Sequence, residues 1–456
     1  MRGSLSAGAR RCRQDRRRRV SVSRVPSRRR FPTFLDPAGR RLLILALYGY
    51  QGLVAGFGMT ALPNHFAELG ATVGAIGGYM AMVGLPWALQ PLWGPLVDRF
   101  GRARMGRRRF WVVLALAGAL ASLACLPLAG DGPAALARLG PLLLLHSGFA
   151  ALLDTAVDAM IIDRVPVERL GQATALTRTG FVTGTAVGAV VFAWMIPAHG
   201  LATAALLLLL LGTAAMVVAL LVREANGDPV LSLRHDAARA EPVDSYRVLL
   251  LRLFSAMRQP AALALLALCI AEEAATAVLG VHLGVEMIQR GGWDAVSLSR
   301  LQGALALLGG TAGALLIGHW SDRVGHYRVL RWLLAGCAAA YAAAAGMLMV
   351  PQAAWLSAGA LALSSIVPAL AFVALAPAVM RSSRGIGAAT RFALFMAALN
   401  LGGILGSATS GLVGTLLSSW QIALGGACIF AACAAAARRP ERLFGPDADD
   451  TKSKPI

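Results

Sequence analysis

Charge is scarce in this chain. Only 14% of its 456 residues are charged, against 57% hydrophobic, and the mean hydropathy is +0.64. No soluble domain of this size combines those values, so soluble fold classes are excluded and a polytopic membrane protein is expected. A disulfide framework is missing too. Of the six cysteines, Cys12 lies near the N-terminus, and Cys125, Cys269, Cys337, Cys428 and Cys433 lie inside apolar runs. No disulfide or metal-ligand spacing occurs among them, and neither a metal nor a cofactor is expected. No early apolar stretch ends in a small-residue cleavage site, so no signal peptide is read. Nor is there a metal-type cluster, or a nucleophile with its base, near a membrane face. An enzyme is therefore not expected.

What the chain does have is long apolar runs. They begin at about Leu42, Ala75, Phe110, Gly140, Ala173 and Leu201, then at Ala261, Ser297, Val329, Ala354, Thr390 and Ser419. Twelve spans of roughly 20 residues, with short loops, use up the length. The division follows: an Arg-rich tail over 1–41, a six-helix bundle over 42–222, a linker over 223–260, a second bundle over 261–437, and a tail over 438–456. Tyr246 to Met257, at the linker's end, is amphipathic enough to lie on the membrane face.

The formal charge of +20 would suggest nucleic acid in a soluble protein. Here the arginines sit in the tails and in alternate loops, and only Arg138, Arg290 and Arg300 fall on the opposite side. Nucleic acid is excluded as a partner, and both termini are expected to be cytoplasmic.

One stretch organises the chain: Gly94-Pro95-Leu96-Val97-Asp98-Arg99-Phe100-Gly101-Arg102, continued by Gly106-Arg107-Arg108-Arg109. It recurs as Gly318-His319-Trp320-Ser321-Asp322-Arg323-Val324-Gly325. Two such loops, each between apolar runs, are the mark of a duplicated membrane protein. They resemble the loop signature of the major facilitator superfamily. The resemblance implies an all-α membrane fold of twelve transmembrane helices in two six-helix bundles. It also implies gating loops. Asp98 would meet the positive start of the eleventh span near Gly387 to Thr390, and Asp322 that of the fifth near Gly171 to Ala173.

Within the spans, His146, Asp154 and Asp158 fall at i, i+8 and i+12 of the fourth, so one stripe is expected to carry all three. A carboxylate in a span costs about 3 kcal/mol on insertion scales, so the acids need a partner, a proton or a water-filled cavity. Arg178, at matching depth in the fifth span, is the expected partner of Asp158. Its counterpart in the eleventh is Arg391. In the seventh span Glu272 and Glu273 point about 100° apart. One is expected to face the central cavity, and Glu273 is favoured. Gln51, Gln90 and Asn400 are lesser polar groups. The stripes Gly180-x3-Gly184-x3-Gly188 and Gly402-x3-Gly406 allow close helix crossing, and Pro86, Pro91 and Pro95 predict a bent second span.

Further segments resemble the AmpG-type muropeptide permeases and the acetyl-CoA transporter-like branch. They are Gly84-Leu85-Pro86-Trp87, Leu92 to Arg99, Gly106 to Arg109 with Trp111, Asp154 to Ala159, Arg178-Thr179-Gly180, Ala371 to Leu375 and Ala389 to Leu394. The resemblance implies a proton-coupled inner-membrane importer, which would bind a small-molecule substrate and protons within the lipid bilayer, as a monomer. Three departures stand out. Gln90 replaces a lysine, Ala271-Glu272-Glu273 replaces a lysine followed by an acid, and Ser364-Ser365 replaces an acid-amide pair. Loss of cationic positions brings siderophore permeases of the same branch level with muropeptide permeases. Proton-driven efflux by the same fold is the alternative, and a non-transporting sensor would need an appended soluble domain.

Overall fold

The computed structural model describes residues 32–439, without 101–102, 167–168, 235–246, 249–250, 252–254, 256–257, 351–352 and 383–387, together with Glu441 and Leu443. Among these residues the fold is helical, with one isolated bridge between Thr33 and Arg223.

The first rod starts earlier than its hydropathy suggests. Helix α1 (Pro37–Gly56) opens at Pro37, whose fixed φ fits a first helical turn. The Thr33 hydroxyl donates to Asp36 at 2.8 Å, and Phe34 N donates to the Arg223 carbonyl at 2.7 Å. Residues 37–41 are thus helical, and the chain just before them is tied to Arg223. A π turn over Phe57–Ala61 joins α1 to α2 (Leu62–Glu68).

The second rod is bent as the prolines predict. It consists of α3 (Val73–Ala88) and α4 (Gln90–Phe100), which break at Leu89 between Pro86 and Pro91. Then come α5 (Arg109–Ala124), α6 (Ala135–Arg164) and α7 (Leu170–Leu221). Gly200 divides α7 into two limbs with φ of 78°, a left-handed value that a side chain would resist. Asp131 accepts a hydrogen bond from Leu201 N there, at 3.1 Å.

The second half has α8 (Pro260–Gln289), then α9 (Ala295–Leu307) joined by a π turn over Leu308–Ala312 to α10 (Gly313–Val324). It closes with α11 (His326–Leu348), α12 (Ala354–Ser382), α13 (Ala388–Leu416) and α14 (Ser419–Ala436). Nine described segments are long and apolar enough to cross a membrane. With α7 taken as two limbs and the broken second and eighth rods as one each, the helices suit twelve crossings.

The glycine stripes are packing faces. Side chains at Gly184 and Gly188 would run into the α1 backbone at Gly49 and Leu53, and Gly52 and Gly56 of α1 answer them. The eleventh-span stripe does the same on α8, with Gly402 against Ile270 and Glu273, and Gly406 against Ala274. Without apolar driving force between helices in lipid, such approach is what holds each half together. The halves meet along two seams, α3 with α13 and α7 with α9.

A polar knot closes the terminal end of the first half. Arg109, 1% exposed, donates to the carbonyls of Met105, Ala219, Leu220, Pro229 and Val230. Glu224 accepts from the backbone of Arg108 and Arg109 at 2.9 and 3.0 Å and pairs with Arg164 at 2.9 Å. A carboxylate there satisfies orphan N–H groups at the start of α5. Arg108 pairs with Asp163 at 2.8 Å.

Candidate functional site

The site is built on α6. Asp154 accepts a hydrogen bond from Gln90 Nε2 of α4 at 2.8 Å. One turn on, Asp158 accepts from the Tyr48 hydroxyl of α1 at 2.6 Å. Tyr48 lies beside both carboxylates. Three helices thus converge on two acids. Asp158 is exposed although its Tyr48 partner is buried.

His146 does not share that space. It is 5% exposed, and its Nδ1 lies 3.2 Å from the Ala119 carbonyl and 3.4 Å from Ser122 Oγ, both on α5. The reason is angular. At 100° per residue, eight residues leave an offset of about 80° and twelve leave about 120°, enough to reach a different neighbour.

The expected Asp158–Arg178 ion pair is not formed. Asp158 is held by Tyr48, whereas Arg178 lies over the Phe372 ring of α12, 5.4 Å from its centroid. Its electrostatic neighbour is Glu273 on α8, also in the second half. Equal depth in the span did not decide the partner; the direction of each side chain did.

The two glutamates separate as their 100° offset requires. Glu273 is half-buried on the face toward Arg178. Glu272 is 5% exposed and turns into the second half, beside Cys269, Cys337 and Cys433. Asn400 Nδ2 donates to the Trp87 carbonyl across the α3–α13 seam at 3.3 Å. Gln51 is buried, and neither end of its amide finds a partner among the described residues.

Of the loop residues, Gly325 joins α10 to α11 with φ of 104°, so glycine is needed there. Arg323 is exposed on α10, and a side chain at Gly94 of α4 would meet open space. Gly318 also lies on α10. The side chains of Asp98, Arg99, Asp322 and Arg391, and Gly101 entirely, lie outside the described residues, as do the Gly387 start of the eleventh span and most of Tyr246 to Met257.

Sequence reasoning missed Tyr48, Phe372 as a cation partner, and the Arg109–Glu224 knot. Tyr48 had a signal, a polar group three residues before Gln51 in an apolar run. Phe372 had none, since aromatic residues are ordinary span content.

The fold has close structural counterparts. A nucleoside transporter, NupG, superposes with a TM-score of 0.63 at 16% identity, over 89% of this chain and 99% of that one. A POT family transporter in complex with 5-aminolevulinic acid gives a TM-score of 0.66 at 12% identity, over 91% and 97%. Another, bound to a thioalcohol-conjugated peptide, gives 0.64 at 12%, over 88% and 95%. At such identities the likeness speaks for the fold alone. A family model of the Major Facilitator Superfamily matches residues 44–390. With that match over most of the chain, on helices arranged as in these transporters, the chain belongs to the Major Facilitator Superfamily: it is a multi-pass membrane transporter, not an enzyme.

Proposed function

We propose that the chain is a proton-coupled importer of the inner membrane, with both termini cytoplasmic, that moves a muropeptide-like or siderophore-like solute by alternating access. The observation that carries it is the set of ionisable groups divided between the halves. Asp154 and Asp158 belong to the first half, and Glu273 to the second, facing Arg178 across the seam. A carboxylate whose surroundings change as the halves rock can take a proton on one side and release it on the other. Asp154, whose donors Gln90 and Tyr48 are both neutral, is the first-half carrier. Glu273 is the second-half carrier, and its proton would alternate with the attraction of Arg178. The branch resemblance supports the solute class, and the arginine-rich terminal side supports the orientation. Asp98 and Asp322 gate the cytoplasmic side in this reading.

The test is uptake into proteoliposomes. Asp154→Asn and Glu273→Gln should each lose accumulation driven by a pH gradient while keeping much of the counterflow exchange. Gradient-driven uptake that survives both substitutions sinks the coupling assignment. Efflux in place of uptake under the same gradient would select the alternative direction.

A further inference from the structure

Among the described residues, hydrogen bonds between the halves, apart from that of Asn400 to Trp87, gather at the end opposite the termini. There Asn64 of α2 is 4% exposed, and its Nδ2 donates to Ser299 Oγ at 2.8 Å and Gln302 Oε1 at 2.7 Å, both on α9. Close by, Gln289, the last residue of α8, donates through Nε2 to the carbonyls of Ala67 and Ala71 at 3.0 and 2.9 Å. Ala67 lies in the last turn of α2, and its carbonyl also accepts from Gly70 N at 3.1 Å, so the Gln289 amide uses its second lone pair. The groups in both contacts are amide, hydroxyl and carbonyl. Backbone approach seals the adjoining seam, with Gly77 against Ser407 and Gly74 against Gly411.

Both arms of the Asn64 contact share a second feature. A π turn, Phe57–Ala61, sets α2 off from α1, and another, Leu308–Ala312, sets α9 off from α10. A π turn interrupts the regular hydrogen-bond ladder and recurs in helices at functional sites. Here one stands at the root of each arm.

We propose that α2 and α9 are the moving arms of a gate at this end, hinged at the two π turns. Asn64 with Ser299 and Gln302 forms its clasp, and Gln289 is a second, separate hook. The proposal rests on the alternating-access reading. The chemistry suits a gate that reopens every cycle. When the arms part, water replaces each amide bond almost one for one, so each bond biases the equilibrium only about fivefold. Asn64 is then a positioning residue, acting on the balance of states and not on the solute.

The test uses spin labels at Glu68→Cys and Arg300→Cys, one exposed site on each arm, in a cysteine-free background. Pulsed EPR on the purified protein without solute reads the distance distribution. The Asn64→Ala variant, which loses both bonds, should raise the ratio of long- to short-distance populations about five- to twenty-five-fold. Gln302→Ala should do so less, and adding it to Asn64→Ala should change little, because the donor is already gone. Gln289→Ala should multiply the effect of Asn64→Ala, as an independent contact does. If Asn64→Ala does not insert, Ser299→Ala probes the same clasp with almost no change of volume. A distribution that Asn64→Ala (or Ser299→Ala in its place) and Gln289→Ala both leave unchanged overturns the gate. So do Asn64 and Gln302 effects that multiply as independent contacts. Populations that shift as stated in a protein that moves no solute would uphold the gate and overturn the transport reading.

Discussion

The guanidinium of Arg178 on α7 rests over the ring of Phe372 on α12, so a cation of the first half is held by an aromatic of the second. Such contact is worth about 0.5–2 kcal/mol, depending on how dry the site is. Phe372→Ala should therefore loosen Arg178 and lower uptake roughly five- to tenfold. Phe372→Tyr, which keeps a ring, should stay within about twofold. Initial-rate uptake at equal membrane abundance checks this, and equal rates for the alanine and tyrosine variants would count against the contact.

Asp158 and Arg178 have different partners, so their substitutions should act independently. In a double-mutant cycle of Asp158→Asn with Arg178→Gln, the coupling should lie within about 0.5 kcal/mol of zero. The cycle of Glu273→Gln with Arg178→Gln should depart from zero by about 1 kcal/mol, because removing either leaves the other ion unbalanced. Thermal unfolding in detergent supplies both numbers.

Glu272 and Glu273 are neighbours in sequence with different surroundings. Glu272→Gln swaps a buried acid that no described side chain hydrogen-bonds for a neutral group of the same shape. It should keep gradient-driven uptake within about twofold, whereas Glu273→Gln should lose it. Parallel uptake assays on the two variants decide the matter.

Arg109 is the strongest stability prediction. Its side chain satisfies five carbonyls from three segments in a nearly closed site. Arg109→Met would leave them without a donor and should destabilise the protein by about 3 kcal/mol or more. Arg109→Lys reaches fewer of them and should fall between. Unfolding temperature and the yield of folded protein from membranes are the measurements.

Asp294 caps α9, accepting from Ser297 N at 2.9 Å. The Ser297 hydrogen bonds hold its carboxyl below the usual range. Because the folded value is depressed, the cap stabilises above the ordinary aspartate pKa and is lost as pH falls through the folded one. Asp294→Ala should cost about 1 kcal/mol near neutral pH and little in acid, while Asp294→Asn, also a good cap, should cost less. Unfolding compared at the two pH values checks the sign.

The class of molecule and its helical plan were legible along the chain. Apolar runs longer than a bilayer is thick can only be spans, because lipid leaves backbone groups no partner but their own helix. The repeated Asp-Arg-x-Gly loops pointed to two related halves. The prolines at 86, 91 and 95 marked a break that falls at Leu89. The glycine stripes marked the faces on which α7 meets α1 and α13 meets α8. All of these are local or periodic signals, legible along one chain.

Partner choice was not of that kind. Whether Arg178 turns to Asp158 or to Phe372, and whether His146 joins Asp154 or α5, depends on helix rotations of some tens of degrees. Residues 64 and 299, or 109 and 224, meet only after distant segments have packed. Hydropathy records how deep a residue lies but not which way it faces. The pairings of Tyr48, Arg178, Asn64 and Arg109 were decided by the tertiary structure, because only packing fixes the angle of one helix against another.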